Sequence, residues 1–246
     1  MSNPQDSRVG VIRIEGTNCE DESAQAFSSL GCDVEKVHLK QLVGEVEPSN
    51  CRNLSDYDAL YFPGGFSSGD YVRAGAIFAS RMKSGLKSQI DDFISSGKPV
   101  LGICNGFQIL VETGLVPGVL LRNKYLEFIC KNVFVKIRDK NNAYFKNINN
   151  DILELHIAHN EGNYFCTNDQ LKEIEDNTQV AINYCDPQGT IEESFNPNGS
   201  LKNIAGIFNK EKNVLGMMPH PERMIDQSLS GEDGALFFKN LINNIK

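Results

Sequence analysis

The chain has 246 residues, with 24 Lys and Arg against 32 Asp and Glu for a formal net charge of −8. No basic cluster interrupts that acidic balance, which argues against nucleic acid or an anionic membrane as the main partner. No apolar run approaches the roughly 18 residues that span a bilayer, and the polar start from Met1 to Arg8 lacks a secretion-signal core, so the chain reads as cytoplasmic.

Arg8 to Ile14 is a short β-branched run and predicts a strand that ends in the turn Glu15-Gly16-Thr17-Asn18. Glu20-Asp21-Glu22 then opens a helix with an apolar stripe at Ala24, Phe27 and Leu30, closed by Gly31. Val34 to Leu39 is a second strand, completing a βαβ unit whose default is right-handed parallel pairing. Residues 44–56 read as a surface connection, and Ala59 to Phe62 as a buried strand stopped by Pro63-Gly64-Gly65. The stretch from Phe66 to Tyr71 is too rich in Gly and Ser for a helix and predicts a loop. Leu86, Ile90, Phe93 and Ile94 mark a helical face closed by Gly97.

Val100 to Gln108 runs from an apolar strand into a helix with Cys104 at the corner, a Gly-x-Cys-x-Gly version of the strained nucleophile turn. Gly102 and Gly106 keep side chains out of that turn, and the helix N-terminus favours thiolate over thiol. After Pro117 strands dominate: Phe128 to Ile137, Leu153 to His159, Val180 to Tyr184, Ile204 to Phe208 and Val214 to Met218, with an asparagine-rich loop over 141–150. Leu236, Phe237, Leu241, Ile242 and Ile245 stripe a terminal helix. The expectation is one α/β domain over residues 1–246, with a mainly parallel central sheet flanked by helices in three α/β/α layers and an antiparallel extension. A boundary near Pro117 is the alternative. The seven cysteines are odd in number and never in Cys-x-x-Cys spacing, so free thiols and no metal site are expected.

In open α/β sheets the working site lies beyond the carboxyl ends of the strands. Pro63-Gly64-Gly65, Cys104-Asn105-Gly106 and Pro219-His220-Pro221-Glu222 all sit at such ends. His220 and Glu222, two apart and bracketed by prolines, share a face, so the carboxylate can orient a histidine that serves Cys104 as base. The amide of Asn105 and one from Gly64-Gly65 can receive a developing oxyanion. His159, followed two residues on by Glu161, is a second His-x-Glu and an alternative base; His38 and His156 read as partly exposed strand histidines. Neither Gly-x-x-x-x-Gly-Lys-Ser/Thr nor Gly-x-Gly-x-x-Gly occurs, so no nucleotide cofactor is expected in this chain.

These motifs resemble the triad (class I) glutamine amidotransferases. The likeness runs from Val9 to about Phe238. Within that family, Gly16-Thr17-Asn18-Cys19, Arg73-Ala74-Gly75-Ala76-Ile77 and Ala158-His159 with Glu161-Gly162-Asn163-Tyr164 resemble the glutaminase subunits of phosphoribosylformylglycinamidine synthases. Ser68, Asn160 and Glu15 depart from the usual pattern, in loops. The resemblance implies that Cys104 attacks the side-chain amide of glutamine, His220 carries protons, Glu222 orients His220, and Gly65 and Asn105 hold the oxyanion. It implies that Gly64, Gln108, His159 and Glu161 contact the substrate. It further implies a large ATP-dependent synthetase subunit, carrying the ATP and Mg, that turns formylglycinamide ribonucleotide into the amidine in purine biosynthesis, and a small bridging subunit. Three other readings compete, and a glutaminase feeding a different synthetase is set apart only by the subfamily motifs. Cysteine peptidases on a related sheet tend to carry histidine after the nucleophile, where this chain has Asn105, and silent regulatory modules tend to lose the cysteine or histidine that this chain keeps.

Overall fold

A computed structural model describes residues 7–226, 228 and 231–245. Its strands are β1 (Arg8–Arg13), β2 (Asp33–His38), β3 (Ala59–Phe62), β4 (Val100–Ile103), β5 (Val119–Leu121), β6 (Ile129–Ile137), β7 (Ile152–His159), β8 (Asn163–Phe165), β9 (Val180–Cys185), β10 (Ile204–Phe208) and β11 (Val214–Met217). Nine of them form one sheet in the order β2-β1-β3-β4-β11-β10-β9-β6-β7. The pairs from β2 to β11 are parallel, and those from β11 to β7 antiparallel. The expected parallel core with an antiparallel extension is what forms, and strands from both sides of Pro117 share the sheet.

The helices are α1 (Glu20–Ser28), α2 (Leu39–Leu42), α3 (Ala76–Gly85), α4 (Lys87–Ser95), α5 (Asn105–Thr113), α6 (Asn168–Asp176) and α7 (Asp233–Asn244). Neighbouring residues of a strand point to opposite faces, and β3 uses this to bind both helical layers. The ring of Tyr61 packs with Phe27 of α1 and Phe238 of α7, whereas Phe62 packs against Phe78 of α3. β3, β4 and β11 are buried at every residue, the continuous apolar pattern of strands covered on two sides.

Several elements lie outside the sequence expectations. α3 runs into α4 at Gly85–Leu86, so a single amphipathic face near Leu86 represents two helices. α6 is polar and buries only Ile174; its signal was the capping box of Thr167 and Gln170. β5 and β8 are three residues each and pair only with one another, too short to register as a pattern. The asparagine-rich loop also does more than cross the surface. Tyr144 within it is fully buried, and its hydroxyl reaches the carbonyls of Val100 and Asn213 (2.8 and 2.7 Å), bracing the amino ends of β4 and β11.

Candidate active site

The corner between β4 and α5 holds Cys104 at φ 52° and ψ −104°, a conformation that L-residues rarely adopt. Close approach of backbone to backbone enforces it. A Cβ on Gly106 would lie 1.9 Å from the Phe62 carbonyl oxygen, and one on Gly102 would lie 2.7 Å from the Gly106 backbone. Only glycine lets α5 settle this near β3 and β4. The Cys104 amide donates to Met217 O at 2.9 Å, tying the corner to β11, and the thiol donates to Ala158 O at 3.5 Å.

β11 lies parallel to β4 in the register Val214↔Val100 to Met217↔Ile103, so the segments leaving both strands emerge side by side. That is how residues 104 and 220 meet. The His220 amide donates to His156 O (2.7 Å), fixing the segment against β7. Its Nδ1 lies 2.5 Å from Glu222 Oε1, while Glu222 Oε2 accepts from the Tyr61 hydroxyl at 3.2 Å. Both His220 and Glu222 are 1% exposed. Burial works against charge on His220, but the Glu222 carboxylate and the Cys104 sulfur outweigh it and hold the imidazole well above its ordinary value. Burial likewise opposes the Glu222 charge, and His220 outweighs it, leaving that carboxyl below the usual range. Nε2 of His220 is buried without a hydrogen-bond partner among the described residues.

Gly64 and Gly65 are constrained from behind. A Cβ on Gly64 would sit 2.6 Å from His220 Cε1, and Gly65, at φ 142°, would place one 2.5 Å from the Asn18 amide. The Gly64 carbonyl accepts from the Asn18 and Cys19 amides (3.3 and 3.1 Å). The amides of Gly65 and Asn105 find no acceptor among the described residues. The Asn105 side chain is a strut, accepting from Ser67 N (3.2 Å) and donating to Gln108 Oε1 (2.8 Å). Gln108 in turn donates to Glu161 O at 2.7 Å.

A cavity of about 410 Å³ opens here, lined by Cys104, His220, Gly65, Gln108, His159 and Glu161 among others. The sequence-expected residues Cys104, His220, Glu222, Gly64, Gly65, Asn105 and Gln108 thus come together. His159 borders the cavity with its ring held by the protein, Nδ1 against Asn123 Oδ1 (3.1 Å) and Nε2 against Asn198 Nδ2 (3.5 Å). Burial foremost, with the nearby positive charge of His220, pushes it down to about 3, so it stands neutral. His38 lies elsewhere and caps α2, its Nδ1 accepting from Lys40 N at 3.1 Å.

Sequence reasoning missed four cavity or support residues. Tyr61 fixes Glu222. Asp70 lines the cavity beside Glu161, and burial followed by that neighbouring charge raises its carboxyl to about 6. Cys19 and Arg223 also line it, with Arg223 Nη2 donating to Cys19 Sγ at 3.4 Å. Cys19 lies inside a motif already singled out, Asp70 in the loop from Phe66 to Tyr71, and Arg223 directly after Glu222; Tyr61 carries no local signal of where it points.

Residues 6–231 match the CobB/CobQ-like glutamine amidotransferase domain family. The phosphoribosylformylglycinamidine synthase subunit PurQ of Pelagibacter ubique (strain HTCC1062) is 56% identical over 236 residues, covering 96% of this chain and 98% of that one. The protein of the same name from Aquifex aeolicus (strain VF5) is 42% identical over 239 residues, covering 96% and 100%. Among solved structures, a chain of PurLQS from Thermotoga maritima superposes with a TM-score of 0.81 at 33% identity, covering 98% of this chain and 99% of that one. With a family model over nearly its whole length and curated relatives matched end to end, this chain belongs to the glutamine amidotransferase family, among its PurQ subunits.

Proposed function

We propose that this chain hydrolyses glutamine and hands the ammonia to a partner synthetase that makes formylglycinamidine ribonucleotide in purine biosynthesis. The observation that carries the catalytic assignment is the buried His220–Glu222 pair, whose unpartnered Nε2 lies in one cavity with Cys104. The Cys104 thiolate attacks the glutamine side-chain carbonyl carbon while His220 holds the thiol proton. The oxygen, now negative, rests on the Gly65 and Asn105 amides, each worth about 10²–10³ in rate. The intermediate collapses, the C–N bond breaks, and the His220 proton leaves with ammonia. A γ-glutamyl thioester remains; His220 takes a proton from water, whose oxygen displaces sulfur to give glutamate.

Both ends of the Gln108 amide are engaged by the protein, so it shapes the cavity wall and fixes the loop from His159 to Glu161. The amino-acid end of glutamine then meets the carboxylates of Asp70 and Glu161. The likeness to synthase subunits and to a chain of PurLQS supports assembly with a large synthetase and a small third subunit; in this reading the synthetase supplies the ATP and Mg. The chain acts as one domain in the cytoplasm; among the described residues no helix is long and apolar enough to cross a membrane.

The test is mass spectrometry after reaction with an electrophilic glutamine analogue. Label on Cys104 is expected, and label on any other cysteine overturns the mechanism. In the assembled complex Cys104→Ala should remove glutamine-dependent synthesis and keep synthesis from free ammonia.

A further inference from the structure

Cys130, Asn132, Glu154 and His156 line up on one face of the β6–β7 pair, outside the hydrolytic site. The strands run antiparallel with Asn132 opposite His156, so these residues, spaced two apart, share that face while Val133, Leu155 and Ile157 are buried on the other. Their contacts fix the hydrogens in turn. Asn132 Nδ2 donates to Glu154 Oε1 at 3.1 Å, which leaves Asn132 Oδ1 as the acceptor for His156 Nδ1 at 3.0 Å. Nδ1 therefore carries the proton of the neutral ring, and Nε2 turns its lone pair to the Cys130 thiol, 3.4 Å away. Burial foremost, then the charges of Arg223 and His220, lower the His156 pKa against the opposing pull of Glu222, so the ring is neutral near neutral pH. A Cys-His-Asn relay of this kind takes the proton from a thiol as the sulfur attacks.

We propose that Cys130 is a second nucleophile of this chain, which exchanges with low-molecular-weight disulfides of the glutathione class and is thereby capped reversibly. Cys130 is exposed, and Cys51 is the other exposed cysteine. Among the described residues Cys51 Sγ meets only the Glu47 carbonyl oxygen, at 3.8 Å, and has no base beside it. Cys104 is 5% exposed, so glutamine-shaped reagents that enter the cavity reach it, whereas a bulky disulfide meets Cys130 first. In the exchange the Cys130 proton passes to His156 Nε2 and the sulfur attacks one sulfur of the disulfide. The old S–S bond breaks as the new one forms, and the proton leaves with the departing thiol. Cys130 also lines the cavity that holds Cys104. The consequence for catalysis rests on the glutaminase reading: a tripeptide on Cys130 stands at the rim of the cavity that glutamine must enter, so capping silences hydrolysis until a thiol removes it. Capping itself is read without glutamine, and its failure is distinct from failure of that reading.

The full chain is incubated near neutral pH with oxidised glutathione, and the cap is mapped by mass spectrometry. Expected is a single cap on Cys130, forming at least about tenfold faster than on Cys51. That lead should shrink as pH rises and hydroxide takes over removal of the proton. His156→Gln should bring Cys130 down to the rate of Cys51. Glutaminase activity should fall in step with capping, return when a thiol is added, and survive the same treatment in Cys130→Ser. In wild-type protein, with no variant involved, a cap that forms on Cys51 or Cys104 as fast as on Cys130 overturns the proposal. A folded His156→Gln chain capped at the wild-type rate overturns it too. Equal loss of activity in Cys130→Ser would place the effect at Cys104 and overturns the link to catalysis.

Discussion

The hydroxyl of Tyr61 donates to Oε2 of Glu222 at 3.2 Å, so the carboxylate behind His220 is held at both oxygens by residues from two different strand ends. Burial, then the Glu222 charge, keeps the Tyr61 phenol well above its ordinary value, so it stays a donor. A hydrogen bond to a charged group is worth about 1.5–3 kcal/mol. Tyr61→Phe removes a donor that favours the ionised carboxylate, so the Glu222 pKa rises and the acid limb of the kcat profile moves to higher pH. The expected loss is about tenfold in kcat with little change in KM, read by steady-state glutaminase kinetics across pH.

His159 should make the fold acid-sensitive. Its folded pKa, about 3, lies below an unfolded value near 6.5, so the native state resists the proton that the unfolded chain accepts. Stability from this residue is complete above about pH 6.5 and is lost as pH falls toward 3. At pH 5 the loss is on the order of 2 kcal/mol. Urea denaturation at several pH values should show a shallower acid slope in His159→Gln than in wild type. An identical slope would mean that other groups govern acid unfolding.

Asp70 links the cavity to pH in a different way. With its carboxyl raised to about 6, the charge is present above that pH and disappears below it. If it receives the ammonium of glutamine, KM should climb as pH drops through 6. Asp70→Asn should have a raised KM that no longer varies over that range.

Gly106 carries the tightest approach at the corner, a built Cβ falling 1.9 Å from the Phe62 carbonyl oxygen. Gly106→Ala must push α5 off β3, costing about 3 kcal/mol or more and displacing the Asn105 amide with it. Gly97, at φ 82° with open space around it, is the control: alanine there should cost only about 1 kcal/mol. Thermal melts of both variants, with glutaminase activity, check the contrast.

How much was legible follows from which residues act locally. The corner at Cys104 could be read because glycine spacing, strand and helix lie within nine consecutive residues. The parallel core could be read because strands covered on both faces are continuously apolar. What stayed hidden depends on long-range placement. Tyr61 and Glu222 are 161 positions apart, and nothing in either segment announces that β3 and β11 both flank β4. The choice between two His-x-Glu pairs was equally non-local. It turns on which partners take the ring nitrogens, Asn123 and Asn198 for His159 and a single carboxylate for His220.

β11 fills the slot between β4 and β10 at the middle of the sheet. Translation delivers it last among the strands, about a hundred residues after the nucleophile. Until it arrives, β4 presents a raw edge and Cys104 has neither the Met217 carbonyl that fixes its amide nor any base. A ribosome-bound chain therefore carries a harmless thiol. Sealing the β4 edge and bringing His220 and Glu222 to Cys104 thus depend on one and the same strand.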